Sequence, residues 1–200
     1  MTQAPAGRVS GNLPLPDRLL AVATRMFAEK GFENTSVQEI VNAAGVTKGA
    51  MYHYFGSKDD LLYEIYHRLL DLQMSRLRQI ADGPGTAEER LRAAAVDVLN
   101  TSFRYLDDFT VFFRSTHLLP RDRREAVRAQ RRRYHERFRA LVEEGQREGG
   151  FRTAVPADIA VHFFFGTVHQ LGWYRHGGTL KTEDISEHYV DLFLNGLKDG

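Results

Sequence analysis

Cysteine is absent from all 200 residues, which excludes a disulfide framework and any zinc site built on thiolates, and which fits a reducing cytoplasm. No apolar run approaches the ~18 residues that a membrane-crossing helix needs, so no membrane partner is expected. Charge of one sign is scarce as well: 27 basic side chains face 26 acidic ones, for a net charge of +1. A strongly basic field, the usual mark of a nucleic-acid binder, is therefore missing globally, and local placement must carry any such function. Strand-like alternation is missing throughout. Recognisable catalytic constellations are missing too: there is no Ser-His-Asp set, no glycine-rich phosphate loop and no metal triad. Asp107 and Asp108 are neighbours at a helix start and face different ways. The chain is not expected to be an enzyme, and nothing in it calls for a cofactor or a metal.

What the sequence does have is helical periodicity. The first 16 residues are mostly Gly, Ala, Pro and polar types without the apolar core of a signal peptide, and are expected to form a flexible arm. Leu19, Val22, Ala23, Met26 and Phe27 make a helical stripe from Asp17 to Lys30, ended by Gly31. A long helix opens at Ser57 and runs through Leu61, Ile65, Leu69 and Leu77 to the Asp82-Gly83-Pro84-Gly85 loop. Thr86 and Glu89 form a capping box opening a helix to about Leu106, and Phe109 to His117 is a short apolar segment. Pro120 suits the first turn of a helix to Gly149-Gly150; Pro156 starts another to about Tyr174; Gly177-Gly178 interrupts, and Thr182 to Leu197 is the last. The reading is all-α, with nine helices.

Residues 35–58 are the most informative stretch. Ser36 and Glu39 form a Ser-x-x-Glu capping box, followed by an apolar face of Ile40, Val41 and Ala44. Gly45 suits the left-handed residue that ends a helix, and Val46 plugs the angle to the next one. Thr47 caps that helix, whose Met51 and Phe55 point inward while Lys48, Gly49, Tyr52 and His53 face out. This is a helix-turn-helix with its second helix built for a DNA major groove. Tyr54 is expected to join Phe55 in the core.

Residues 17–62 resemble the N-terminal domain of the TetR family of bacterial transcriptional repressors. The resemblance rests on Leu20-x-x-Ala23-x-x-x-Phe27-x-x-x-Gly31-Phe32, Thr35-Ser36-Val37-x-x-Ile40, Ala44-Gly45-Val46-Thr47-x-Gly49 and Tyr52-x-Tyr54-Phe55-x-Ser57-Lys58-x-x-Leu61. It implies a three-helix DNA-binding domain over residues 17–60 and a six-helix effector-binding and dimerisation domain over 61–200. Lys48, Gly49, Ala50, Tyr52 and His53 fall on the groove-facing helix. Lys48 suits guanine O6 and N7, Gly49 or Ala50 a thymine methyl, and Tyr52 aligns with a tyrosine that bonds phosphate in this family. Thr35, Ser36, Gln38, Thr47 and Lys58 are phosphate-clamp candidates, which fix register and carry no sequence information. Residues 1–60 hold six basic and six acidic side chains, so each head is expected to bind modestly and to depend on a dimer and a palindromic operator.

The resemblance also makes the last two helices the dimer surface, with Ile159, Phe163, Gly166, Thr167 and Gln170 on one face and Ile185, Tyr189, Leu192, Phe193 and Gly196 on the other. The alternative is that these faces close the monomer's own core. A small hydrophobic effector is expected among the central helices, lined by Phe103, Phe109, Phe112, Phe113, Phe165 and Trp173, with Arg114, His117, His162 and His169 as polar anchors. Ordinary core is the alternative for each aromatic, and a satisfied histidine rather than a metal ligand for His162 and His169. Gly149-Gly150-Phe151-Arg152 and Trp173-Tyr174-Arg175-x-Gly177-Gly178 are similar to TetR-type regulators of fatty-acid and steroid degradation, whose effectors are acyl-CoA thioesters. Phe164, Val168 and Gly172 stand where polar or basic CoA contacts are expected, so a plain lipophile remains an alternative effector. The arginines from Arg121 to Arg139 are read as a solvated face paired with Glu125, Glu136 and Glu143. The functions weighed are a ligand-responsive repressor, an effector-independent structural DNA binder, and an enzyme acting on a lipophile, in that order.

Overall fold

The computed structural model describes residues 13–171 and 181–198. Over these residues the elements are α1 (Leu15–Lys30), α2 (Val37–Ala44), α3 (Lys48–Tyr54), α4 (Lys58–Ala81), α5 (Ala87–Arg104), α6 (Leu106–Ser115), a single 3-10 turn (Thr116–Leu118), α7 (Arg121–Arg147), α8 (Ala157–Val168) and α9 (Thr182–Asn195), with no strand among them. The fold is all-α, as the periodicity requires. No helix among the described residues is long and apolar enough to cross a membrane.

By packing, the chain divides into two compact units, one of residues up to Arg68 with Asp107–Arg124, the other of Leu69–Leu106 with the residues from Glu125 onward. The stretch from Asp107 to Arg124, read from sequence order as part of the second domain, thus belongs to the first packing unit. In the first unit α1 packs on α2 and α3. Its centre holds Leu19, Ala23, Phe27, Ile40, Val41, Met51 and Leu61, all at 2% exposure or less. Phe27 and Phe32 meet edge to face at 5.1 Å between ring centroids. Tyr66, at 0% exposure, donates its hydroxyl to the Val111 carbonyl at 2.8 Å, which ties α4 to α6. Burial pushes that hydroxyl's pKa well up. Arg123 pairs with Asp60 and lies 5.3 Å from the centre of the Tyr63 ring.

The second unit is built on Leu91, Val98, Leu99, Phe138, Leu141, Phe164, Phe165, Val190, Phe193 and Leu194. Phe138 stacks on Phe164 at 5.1 Å, and Phe164 meets Phe193 at 4.8 Å. Each such buried side chain contributes about 1.5–3 kcal/mol, against about 0.2–1 kcal/mol for an exposed ion pair such as Arg92–Asp191; the core decides this fold. At the end of α7 a Cβ on Gly145 would come within 2.2 Å of the Phe151 ring, so only glycine lets that ring fold back. Arg152 then donates its N–H to the Leu197 carbonyl at 2.8 Å.

Several boundaries differ from the sequence reading. The helix opened by Thr86 stops at Arg104, and Tyr105, with φ −112° and ψ 43°, breaks it before α6 begins. The helix opened by Pro156 ends at Val168, short of Tyr174. Tyr174 itself and the Gly177-Gly178 interruption lie outside the described residues.

Candidate DNA-binding and effector sites

Both halves of the α2 capping box are formed. Ser36 Oγ accepts from the Glu39 N–H at 3.2 Å, and Glu39 Oε2 accepts from the Ser36 N–H at 2.9 Å. That backbone bond, with Lys30 at 2.9 Å, holds the Glu39 carboxyl at about 2, well below the usual carboxylate range. Gly45 takes the left-handed conformation, φ 67° and ψ 38°, and Val46 donates to the Val41 carbonyl at 2.9 Å. Thr47 Oγ1 accepts from the Ala50 N–H at 3.1 Å and starts α3. Met51 is then fully buried while Tyr52 is 50% exposed. Lys48, Gly49 and His53 are exposed beside Tyr52, and Ala50 is half-buried. Removing the Thr47 cap by Thr47→Ala is expected to destabilise the head by about 1 kcal/mol and to weaken DNA binding with it. Thermal unfolding checks the first effect; an unchanged melting temperature would show that the cap is dispensable.

Thr35 and Tyr54 need correction in this region, and Ser36 and Lys58 are partly engaged within the head. Thr35 is at 0% exposure, its hydroxyl donating to the Gly31 carbonyl at 2.8 Å; it fastens the turn after α1 and cannot face a phosphate. Lys58 donates to the carbonyls of Phe32 at 2.8 Å and Thr35 at 2.9 Å and sits 4.2 Å from the Phe32 ring centre. Two of its three ammonium protons are thereby used inside the head, so it is a strut before it is a clamp. Ser36 has both its N–H and its hydroxyl engaged by Glu39, which leaves the remaining first-turn N–H groups of α2 for a phosphate. Gln38 is exposed beside them, its amide donating to Asn42 at 2.8 Å. Tyr54, assigned to the core, is instead 50% exposed, with its ring edge-on to His53 at 4.9 Å; it adds an aromatic to the exposed face that sequence reasoning missed. Phe55 is buried as expected.

On α8 and α9 the expected dimer residues separate. Ile159, Phe163 and Leu192 are 61%, 63% and 74% exposed, Gly166, Gln170 and Gly196 are also exposed, and Thr167 and Tyr189 are half-buried. Ile185 and Phe193 are at 4%: they close the monomer's own core, Phe193 against Phe164, and are corrected out of the dimer face.

The effector candidates fall into two groups. Phe109, Phe112, Phe113, Arg114 and His117 belong to the first unit. There Phe109 and Phe112 are buried, Phe112 edge-on to Tyr66 at 5.0 Å, while Phe113 is 38% exposed and Arg114 and His117 are exposed. Phe103, His162, Phe165 and His169 belong to the second unit; Trp173 lies outside the described residues. Phe103 borders a cavity of about 420 Å³ with Arg76, Arg104 and Tyr105.

The remaining three line a groove of about 570 Å³ between α7 and α8. Its floor is Phe165, on which His135 stacks at 4.2 Å with the rings 9° from parallel. Arg131 lies 3.1 Å from His169 Nε2, and His162 Nδ1 is 2.8 Å from the Asp158 carbonyl. Burial, and then the charges of Arg131, His162 and His169, push the His135 imidazole down to about 4. The reading of the arginines as one solvated face is therefore revised. Glu143 does pair with Arg139, at 3.4 Å, yet Arg123 pairs with Asp60 and Arg137 with Asp82, and Arg128, Arg131, Arg132 and Arg139 converge on this groove. The spacing 128, 131, 132, 135, 139 is a helical stripe and was the available signal. Among the described residues no cluster of metal-ligating side chains is suited to an ion.

A capped three-helix head with an exposed Lys48, Tyr52 and His53 on its third helix defines a helix-turn-helix regulator of transcription. The chain belongs to the TetR family: residues 19–65 match the bacterial regulatory proteins, tetR family, and residues 84–197 match the tetracyclin repressor-like C-terminal domain. It is similar to the HTH-type transcriptional repressor KstR2 of Rhodococcus jostii (strain RHA1), 28% identical with 98% of each chain covered. Among solved structures it is similar to the ketosteroid transcriptional regulator KstR2 of Mycobacterium tuberculosis, with a TM-score of 0.85, 26% identity, and 96% of this chain and 100% of that one covered. The TetR family regulator PfmR of Thermus thermophilus gives a TM-score of 0.83 at 30% identity, covering 92% and 100%. These relatives are transcriptional regulators.

Proposed function

We propose that the chain is a ligand-responsive repressor which binds a palindromic operator as a homodimer and leaves it when a small hydrophobic effector, an acyl-CoA or a related lipophile, is bound. The observation that carries the DNA-binding half is the face of α3: Lys48, Gly49, Tyr52 and His53 stand exposed opposite a fully buried Met51, which is what a helix entering a major groove requires. The exposure of Gln38 near the N-terminus of α2 supports a phosphate contact there. The exposed apolar residues Ile159, Phe163 and Leu192 support a two-fold contact through α8 and α9. The effector half is supported by the aromatic content of α6 and α8 and by the similarity to a ketosteroid transcriptional regulator. An effector shifts the operator equilibrium only by its differential affinity for the two states.

The test uses Trp173, the single tryptophan. Its fluorescence is titrated with palmitoyl-CoA and with palmitate, and operator release is followed in parallel by anisotropy of a labelled duplex selected from random DNA. Saturable binding with operator release is the expected result, and a response to the thioester alone would select the acyl-CoA form of the reading. Failure of both lipids to bind or to release DNA would overturn the effector half and leave the DNA-binding half standing.

A further inference from the structure

The cavity of about 420 Å³ at the end of α5 lies wholly within the second unit, and its volume falls in the range of small-molecule sites, about 300–1,000 Å³. Arg76 reaches it from α4, Asn100, Thr101 and Arg104 from the last turns of α5, Tyr105 from the break, and Glu183 from the first turn of α9. Packing does not account for its chemistry. Thr101 is 4% exposed, yet its hydroxyl donates to nothing among the described residues. Ser102, the next residue and equally buried, does donate, to the Val98 carbonyl at 2.7 Å. A valine at 101 would serve the fold as well, so the oxygen there answers to something outside it. Arg104 and Glu183 bring opposite charges to the same cavity and do not pair with each other. Arg104 has no ion pair among the described residues, and the Glu183 carboxylate accepts from the neighbouring Thr182 hydroxyl at 3.2 Å. Arg76, by contrast, is neutralised, with Asp97 accepting from its Nε at 2.6 Å.

We propose that this cavity binds a free α-amino acid, its carboxylate held by Arg104 and the Thr101 hydroxyl and its ammonium group by Glu183. Residues 100, 101 and 104 are neighbours on one face of α5, at helical spacings of three and four. An arginine fork takes a carboxylate through two parallel bonds, and the Thr101 hydroxyl beside it supplies a third donor. The Asn100 amide and the Tyr105 hydroxyl are left for a polar side chain. A plain anion would meet Arg104 but be repelled by Glu183, and a plain cation the reverse. An uncharged ligand would take water from both charges and replace it at neither. A zwitterion with its two charges on adjacent atoms of one carbon answers both at once. The site involves no acyl chain and does not depend on the effector reading above.

The probe is an equimolar mixture of the twenty free L-amino acids, dialysed to equilibrium against the full-length protein at low salt and quantified on both sides of the membrane. Selective, saturable retention of at least one amino acid is expected. Arg104→Gln and Glu183→Gln should each weaken it about tenfold or more, through loss of a charge-assisted contact. Both side chains are exposed, so both variants keep their fold, and their melting temperatures are measured alongside. Thr101→Val should weaken retention while leaving the melting temperature unchanged or higher, because the hydroxyl bonds nothing in the protein; a purely structural Thr101 would lower the melting temperature and leave retention alone. The N-acetyl and carboxamide derivatives of the retained amino acid each carry one charge fewer and should compete poorly. Retention of none of the twenty, retention that survives both charge variants, or full competition by the two derivatives overturns the proposal. None of these results bears on whether lipids release the operator, so the two readings fail separately.

Discussion

Lys48→Ala is expected to weaken operator binding by about 1–3 kcal/mol at each half-site, the worth of a bidentate contact to guanine, and twice that for a dimer on a palindrome. The side chain is exposed at the first residue of α3, so its loss leaves the head folded. A base contact and a phosphate contact differ in signature. If Lys48 reads a base, discrimination at one operator position relaxes; if it meets phosphate, affinity falls equally for all sequences and the salt slope drops by about one ion per head. Tyr52→Phe removes a hydroxyl alone and is expected to weaken binding by about 1 kcal/mol per half-site. Anisotropy with wild-type and single-mismatch operators makes both measurements, and sedimentation shows that the dimer persists. Unchanged affinity in Lys48→Ala would take the lysine out of the contact set and put the burden of recognition on Tyr52, His53 and Tyr54.

Placing carboxylates on the exposed apolar face, in Phe163→Glu with Leu192→Glu, is expected to raise the dimer dissociation constant by about 100-fold or more, because each would bury an unpaired charge. Operator affinity should collapse with it, since each half-site then loses the high effective concentration its linked partner supplies. The paired control is Phe193→Ala. Phe193 is at 4% exposure and packs on Phe164, so its truncation should lower stability by about 3–5 kcal/mol through the monomer's own core. Sedimentation equilibrium and thermal unfolding separate the two outcomes. A double glutamate variant that stays dimeric would mean that α8 and α9 do not form the contact.

The helices were legible where a local rule sets their ends. Ser36–Glu39 and Thr86–Glu89 are reciprocal caps written in four residues, and both form as expected. Gly45 and Thr47 fix the turn for the same reason. The sequence places the break at about Leu106, but its position at Tyr105 was hidden, since neither glycine nor proline marks it. Burial across long separations was equally hidden: Lys58 bonds carbonyls 26 and 23 residues away, and no spacing rule sees that. Periodicity placed Ile185 and Phe193 on an apolar face, but an apolar face does not say which partner covers it. In the stretch from Arg121 to Arg139 the density of arginine suggests a solvated face, while the stripe at 128, 131, 132, 135 and 139 carries the information. Those residues meet because α8 brings Phe165 and His169 against α7.

The parallel stack of His135 on Phe165 has a spectroscopic consequence. An imidazole lying flat over a phenyl ring sits in its ring current, so the His135 carbon-bound protons are shielded and resonate apart from those of the exposed histidines. Anything that slides into the groove, tilts that ring or protonates it will move those resonances, and the protein thereby carries its own label for occupancy between α7 and α8.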